Sequence, residues 1–498
     1  MSERTARLLG KRLFTGTFVA SAAVLARLRP LQSGDLLWQL RTGEAALAHG
    51  PVHRDLFSFP FRGAPILDHE RAFELLVAVV HRRGGFELLW WCNLALVVFA
   101  ALAAARLARR MVEQIAPVVL ATGVVLAAGA PRLELRAEAA TFFAIAIAHA
   151  LRRRADEAER GSSGRWRGLA RRLSPIVVAA VAAPFHGLAL LVALVPLAHL
   201  GEAVVAVVRG ERAATRRRTL AIDAVVAIAV VGASELASPG LLANLRVSAT
   251  GPTFMRHIIE WYSPLRYARQ SGDVTTLAAI GVSLLALAGL VAMAREGRAR
   301  VADVLLLAAL SLLGLRFVRL TALPLLGAMP WAIAGLAELA RRAFAALRSR
   351  ASLGAMGALF ALSVAHLAAA AQLHDVVGFD WSRQPCAAVA WLRGHRPEAA
   401  LFHAYNQGAL LIYEGWPTRG VVIDPRAWTL YPEWYARRYY DALATPARFE
   451  AWADEAPFDT VLLPKNHAGT SALARHLSSA PRWAIAYADE QAVAFVRR

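Results

Sequence analysis

The sequence predicts a polytopic α-helical membrane protein of about 11 spans, N-terminus in and C-terminus out, with a C-terminal extracytoplasmic α/β domain. Three observations carry this. The 498 residues are 57% hydrophobic with a mean hydropathy of +0.42, whereas a soluble chain of this length carries far more polar surface. Several apolar runs approach the roughly 20 residues that cross a bilayer. The formal charge of +20 is almost wholly arginine, with lysine only at Lys11 and Lys465. Those arginines gather in short loops between the apolar runs, as the positive-inside rule expects. The pattern accounts for the charge without nucleic acid.

The elements follow in order. Arg4, Arg7, Lys11 and Arg12 precede the first span, about Leu13 to Leu28, and hold the N-terminus inside. The long polar stretch Gly34 to Glu74 is then extracytoplasmic. Ser33 or Asp35 can cap a short helix ending at Gly50-Pro51. Asp55 to Phe61 reads as extended, and Asp68 is placed to cap a second helix through His81. Spans follow from about Glu87 and Ile115, and the loop Pro131 to Glu138 is outside. The most basic loop, from about Arg152 to Arg172, is inside. Ser174 to Val208 is too long for one span and divides at Pro184-Phe185-His186-Gly187. Later spans bracket the outer segment RFVR, and the last, about Leu353 to Ala371, leads out. First-run residues lack a small-residue cleavage site, so no cleavable signal peptide is expected. Cys92 and Cys386 give neither a disulfide framework nor a metal motif.

Composition changes near His374, where charges balance and aromatics increase. The domains expected are therefore 1–373, with outer loop 30–86, and an outer α/β domain 374–498. ALFHA, GVVID, TVLLP, WAIAYA and AVAFVRR read as strands. Tyr431 to Leu443, Pro446 to Glu455 and Ala468 to Leu477 read as helices.

Acids crowded at a membrane surface suggest chemistry or ligand binding. Asp35 follows the first span directly and suits a general base or a metal ligand, or else a helix N-cap. Asp55 has the same chemical options, or an Asx-turn. His69-Glu70 suits a metal or substrate orientation, or simply a polar helix start. Arg132, Arg136, Arg316 and Arg319 lie outside, against the charge bias of the chain. Guanidiniums there suit a lipid phosphate, or snorkelling and pairing with acids such as Glu134 and Glu138. His186 sits at the helix break. Glu260, Trp261 and Tyr262 suit sugar stacking or interfacial anchoring. Asp424-Pro425-Arg426 suits a ligand site or an ion pair.

The motifs GDLLWQLRTGEAALAHG, RDLFSF and DHE resemble the first outer loop of bacterial proteins in the C-type glycosyltransferase superfamily, such as protein mannosyltransferases and lipid A aminoarabinose transferases. FHGLALL, SPG, IIEWYSP, RFVR, YNQGALLIYEG and VVIDPR extend the resemblance over most of the chain. Arg71 stands where the family pattern has tryptophan, and Ser238 where it has asparagine. The resemblance implies a polyprenyl-phosphate sugar donor, an outer active site and a first-loop acid as base. That role falls on Asp35, with Glu134 or Glu138 as a second acid.

The function expected is a bacterial inner-membrane glycosyltransferase that moves a sugar from a polyprenyl phosphate to an extracytoplasmic glycan or protein acceptor. Its partners are the lipid donor and membrane lipid, and not nucleic acid. A divalent metal ion is a candidate cofactor with no ligands assigned. The alternative is a non-catalytic envelope protein that binds lipid-linked glycan or acts as a scaffold.

Overall fold

The computed structural model describes residues 3–160, 165–210, 213–250, 252–346, 376–398, 400–418, 420–456, 458–465 and 467–498. The expected span at about Leu353 to Ala371 lies outside them. Contacts divide the chain into two compact units. The first takes in Met1–Arg29, Trp90–Pro239 and Ile259–Val377; the second takes in Pro30–Leu89, Gly240–Ile258 and Gly378–Arg498.

The first unit is helical. Among the described residues five helices are long and apolar enough to cross a membrane: Arg71–Ala108, Ile115–Arg132, Gly187–Val208, Thr219–Ala237 and Thr275–Arg295. The bent pair Val318–Gly327 and Met329–Ala343 makes a sixth if taken as one span. Other expected spans coincide with the helices Glu3–Arg27, Ala139–Arg160 and Arg165–Ala182, which carry arginines along their length, and with Val301–Arg316, which has only 16 residues. The Arg71–Ala108 helix breaks at Gly84 and Gly85, where Gly85 takes φ 60°. That break separates the two elements expected on either side of it. Pro184, Phe185 and His186 likewise interrupt the helices, and the 3-10 turn Gly187–Ala193 follows.

Lipid tails are as apolar as the helices, so close backbone packing must hold the bundle together. The Thr275–Arg295 and Met329–Ala346 helices do this with glycine. A Cβ on Gly289 would fall 2.0 Å from the Gly335 carbonyl oxygen, and one on Gly335 would fall 2.0 Å from that of Ala286. Only backbone fits there.

The second unit holds a four-stranded sheet in the order β1 (Leu401–His403), β2 (Thr460–Pro464), β4 (Ala492–Arg497), β3 (Trp483–Ala488). β1 and β2 are parallel and the other pairs antiparallel. The β3–β4 turn is fixed by Asp489, whose carboxylate accepts from the backbone N–H groups of Gln491 and Ala492 at 2.8 and 2.7 Å. The expected strand GVVID is not part of the sheet. Val421 instead exchanges backbone hydrogen bonds with Phe57 and Phe59 at 2.9 and 3.0 Å. Its apolar run is that of a buried strand, but its partner comes from the first outer loop. The aromatic core includes Phe402, Tyr435, Tyr439, Phe449, Trp452, Phe458 and Phe495, and it also takes Phe254 and packs against Phe61. Segments from three parts of the chain thus share one core.

Candidate functional site

In the first unit, short turns gather a cluster of guanidiniums and carboxylates. Arg132 ends the Ala130–Arg132 turn and is buried. Its Nη1 lies 3.2 Å from Glu138 and 3.0 Å from Glu260. Arg136 reaches Glu260 at 3.0 Å and Glu134 at 3.6 Å. Arg319 reaches Glu138 at 3.5 Å and lies over the Trp261 ring. Arg29 is 3.9 Å from Glu134 and donates to the Ala130 carbonyl. The Val318 N–H donates to the Tyr262 carbonyl at 2.9 Å and ties these turns together. Arg27 is fully buried behind them, with its Nε and one Nη meeting no acceptor. The guanidiniums of Arg29, Arg132, Arg136 and Arg319 thus meet the carboxylates of Glu134, Glu138 and Glu260.

The cluster therefore brings together Arg132, Glu134, Arg136, Glu138 and Arg319 of the residues read from sequence. Arg316 is exposed and lies over Phe317 instead. His186 is buried, with Nδ1 3.4 Å from the Leu188 N–H and 3.3 Å from Thr141 Oγ1. Arg27 and Arg29 were missed by sequence reasoning. The signal for them was their position at the outer end of the first span, against the charge bias.

Burial works against ionisation of Glu260, but Arg132, Arg136 and Arg319 override it and hold its carboxyl well below the usual range. A depressed carboxyl contributes stability above its unfolded pKa, and that contribution is lost as pH falls through the folded value. Acidification from neutral pH is thus expected to lower the melting temperature. Glu260→Gln is expected to be less stable at neutral pH and to show a flatter acid limb. An acid limb identical to that of the parent would contradict the pairing.

The second unit holds Asp35, Asp55, His69 and Glu70. Asp35 is the first residue of the Asp35–His49 helix and is half-buried. The cap position is Gly34, not Ser33 or Asp35 as expected from sequence. A carboxylate one place into the helix is favoured by the positive end of the helix dipole. Asp55 is buried and fully engaged. It accepts from the N–H groups of Phe57 and Ser58 at 3.2 and 2.9 Å, from Ser58 Oγ at 2.6 Å and from Arg426 Nη1 at 2.5 Å. Arg426 also donates to both oxygens of Asp424, at 2.8 and 2.7 Å, and Tyr431 donates to Asp424 at 2.5 Å. Burial would raise the Asp424 carboxyl, but Arg426 and Tyr431 hold it below its ordinary value. Glu70 accepts from Gln39 at 2.6 Å and lies 3.6 Å from His69 Nε2. Asp68 accepts the Glu70 N–H at 3.1 Å, and burial pushes its carboxyl up.

A divalent ion needs carboxylates not already neutralised. Glu134, Glu138 and Glu260 are each paired with arginine, which competes with such an ion. Elsewhere in the first unit the donor atoms of Asp156, His199 and Glu202 lie within 4.8 Å of one another, a set of suitable chemistry. There Arg300 donates to both carboxylates and Arg152 to Asp156. Arg152 also pairs with Asp223 at 3.0 Å, and Arg153 with Asp303 at 2.8 Å. Arginine already supplies the charge that a dication would bring. These acids stand inside helices, each matched by an arginine.

The backbone has the fold of the C-type glycosyltransferases, in a chain with several helices able to cross a membrane. The solved structures similar to it include three of an oligosaccharyltransferase from Archaeoglobus fulgidus. The apo crystal structure matches with a TM-score of 0.59 and 14% identity, over 91% of this chain and 69% of that one. The archaeal oligosaccharyltransferase AglB in complex with an inhibitory peptide and a dolichol-phosphate matches with a TM-score of 0.57 and 14% identity, over 91% and 69%. The complex with Zn and sulfate matches with a TM-score of 0.57 and 16% identity, over 90% and 68%. No protein-family model matches the chain, and no curated protein matches its sequence.

Proposed function

We propose that the chain is a bacterial inner-membrane glycosyltransferase that moves a sugar or glycan from a polyprenyl-phosphate carrier to an extracytoplasmic acceptor. The observation that carries this is the guanidinium cluster on a fold shared with an oligosaccharyltransferase. The neighbour complexed with a dolichol-phosphate and a peptide supports a lipid-linked donor and a protein kind of acceptor. In this reading Asp35 takes the proton from the acceptor's nucleophilic atom as that atom bonds to the anomeric carbon. The bond from that carbon to the phosphate oxygen breaks, and the carrier leaves with the electron pair. Separately, Arg132, Arg136 and Arg319 in the first unit offer charged hydrogen bonds to a lipid phosphate.

The test is binding of undecaprenyl phosphate to the whole protein in nanodiscs. Arg136→Ala and Arg319→Ala, whose parent side chains are half-buried, are each expected to weaken it by about 1.5–3 kcal/mol, roughly tenfold to a hundredfold. Unchanged affinity in both would reduce these arginines to structural partners of the glutamates.

The non-catalytic reading has its own observation. Asp55, Glu134, Glu138 and Glu260 are all engaged by arginine, as a structural rather than a catalytic role would have it. Binding without transfer would favour it.

Orientation is tested by cysteine labelling of intact cells, with Cys92 and Cys386 replaced by serine. Arg62→Cys and Ala468→Cys, at exposed positions, are expected to label from outside, and Arg209→Cys, also exposed, is not. Labelling at position 209 would invert the topology and with it the reading of the cluster as extracytoplasmic.

A further inference from the structure

We propose that the groove between the helices Glu433–Ala444 and Pro446–Glu455 binds a neutral oligosaccharide. It has a volume of about 600 Å³, within the range of small-ligand sites. It shares no residue with the sites described above.

Trp434 is 61% exposed on its wall. Tryptophan is usually well buried, so a ring left open on a folded surface is informative. Its position is fixed from behind: Tyr435 meets it edge-on at 5.6 Å, and Phe61 lies at 6.3 Å. The floor is Trp452, largely buried, with the Arg438 guanidinium 4.8 Å from its ring centroid. A rigid aromatic face of this kind stacks on the C–H face of a pyranose at small cost in conformational entropy.

The rim carries three arginines and three acids, and they pair. Arg437 lies 3.7 Å from Glu433, Arg438 pairs with Glu455, and Arg448 pairs with Asp441. Glu433 is further anchored by the Thr253 hydroxyl. The pairing decides the class of ligand. An anionic or cationic ligand would have to break rim pairs and leave their partners unmatched. An apolar segment would cover six ionised side chains without using them, which costs desolvation. A sugar hydroxyl both donates and accepts, so it can bond a guanidinium on one side and a carboxylate on the other with the pairs intact. A tryptophan that anchors in lipid sits at a membrane interface commonly flanked by basic residues; here acids equal arginines.

The inference goes beyond the transferase reading. Binding at the groove can be measured without any transfer, so failure of one does not entail failure of the other. The test uses the full chain in nanodiscs with 5-fluorotryptophan, the Trp434 fluorine resonance being assigned with Trp434→Phe. Mannotriose, cellotetraose and chitotetraose are titrated beside tetragalacturonate and anionic phosphatidylglycerol vesicles. At least one neutral sugar is expected to shift the Trp434 resonance saturably. Trp434→Ala is expected to weaken that binding about tenfold, with the melting temperature preserved because the ring is exposed. Should that variant fold poorly, Arg437→Ala is expected to weaken binding severalfold, and the shift in the unaltered protein stands by itself. The proposal is overturned if no neutral sugar moves the resonance at about 10 mM. Full-strength binding in both variants, or a response only to the acidic sugar or the vesicles, also overturns it.

Discussion

Arg426→Ala is expected to cost the second unit about 3–5 kcal/mol. Arg426 is the one cation, among the described residues, paired with the buried Asp55 and Asp424, which supply two negative charges. Without it two carboxylates remain in a water-poor core, with Phe57 losing the guanidinium that lies 5.1 Å from its ring centroid. They can relax only by taking up protons or by drawing in water. The loss is expected as a fall of several degrees in the melting temperature of the full protein, larger at pH 7 than at pH 4, where protonation relieves the repulsion. Arg426→Lys is expected to recover only part of it, since an ammonium cannot match both oxygens of Asp424 and reach Asp55 together. A triple change of Arg426→Met, Asp55→Asn and Asp424→Asn removes the charges along with the pairing and is expected to be milder than Arg426→Ala alone. A melting temperature in Arg426→Ala equal to that of the parent would mean that the group does not close the fold.

This group also marks what the sequence made legible. Asp424 and Arg426, two positions apart, were readable as a pair. Their bond to Asp55, 371 positions from Arg426, was not, because tertiary packing alone brings the segments together. The same packing placed Gly420 to Asp424 beside Phe57 and Phe59 rather than in the sheet. Composition changes near His374, where aromatics increase and charges balance. The core itself recruits Phe61 and Phe254 from far upstream, and composition says nothing of that.

Arg132, Arg136 and Arg319 stood out in the sequence by their conflict with the positive-inside bias of the expected topology. Their pairing with Glu134, Glu138 and Glu260 was named only as an alternative. Asp156, Asp223 and Asp303 escaped notice because hydropathy averages a single acid away. Asp223 and Asp303 border apolar runs, Asp156 lies in a run of arginines that outweighs it, and each is matched by an arginine from another helix or a loop. The break at Gly84 and Gly85 and that at Pro184 were legible because glycine and proline act locally.

Asp35→Asn is expected to lower transfer by roughly two to four orders of magnitude, the usual effect of losing a positioned acid or base. Asparagine keeps the size of the side chain and removes its basicity. Because the cap position is Gly34, the substitution keeps the cap and forfeits the favourable charge at the helix start, about 0.3–1 kcal/mol. Fold and expression are therefore expected to persist, and donor binding with them, since the phosphate is assigned to the arginines. Asp55→Asn gives the contrast. It is expected to lower stability, through Arg426 and the Ser58 turn, and to lower activity only in proportion.

The central claim is that this fold moves a sugar with Asp35 as its base. It is tested most directly by transfer of a radiolabelled sugar from a polyprenyl-phosphate donor in membranes, comparing the parent with Asp35→Asn and recording donor affinity and melting temperature for both. The account predicts transfer by the parent and its near-complete loss in Asp35→Asn, with affinity and melting temperature held. Full transfer by Asp35→Asn, or none by a parent that binds the donor tightly, would contradict it.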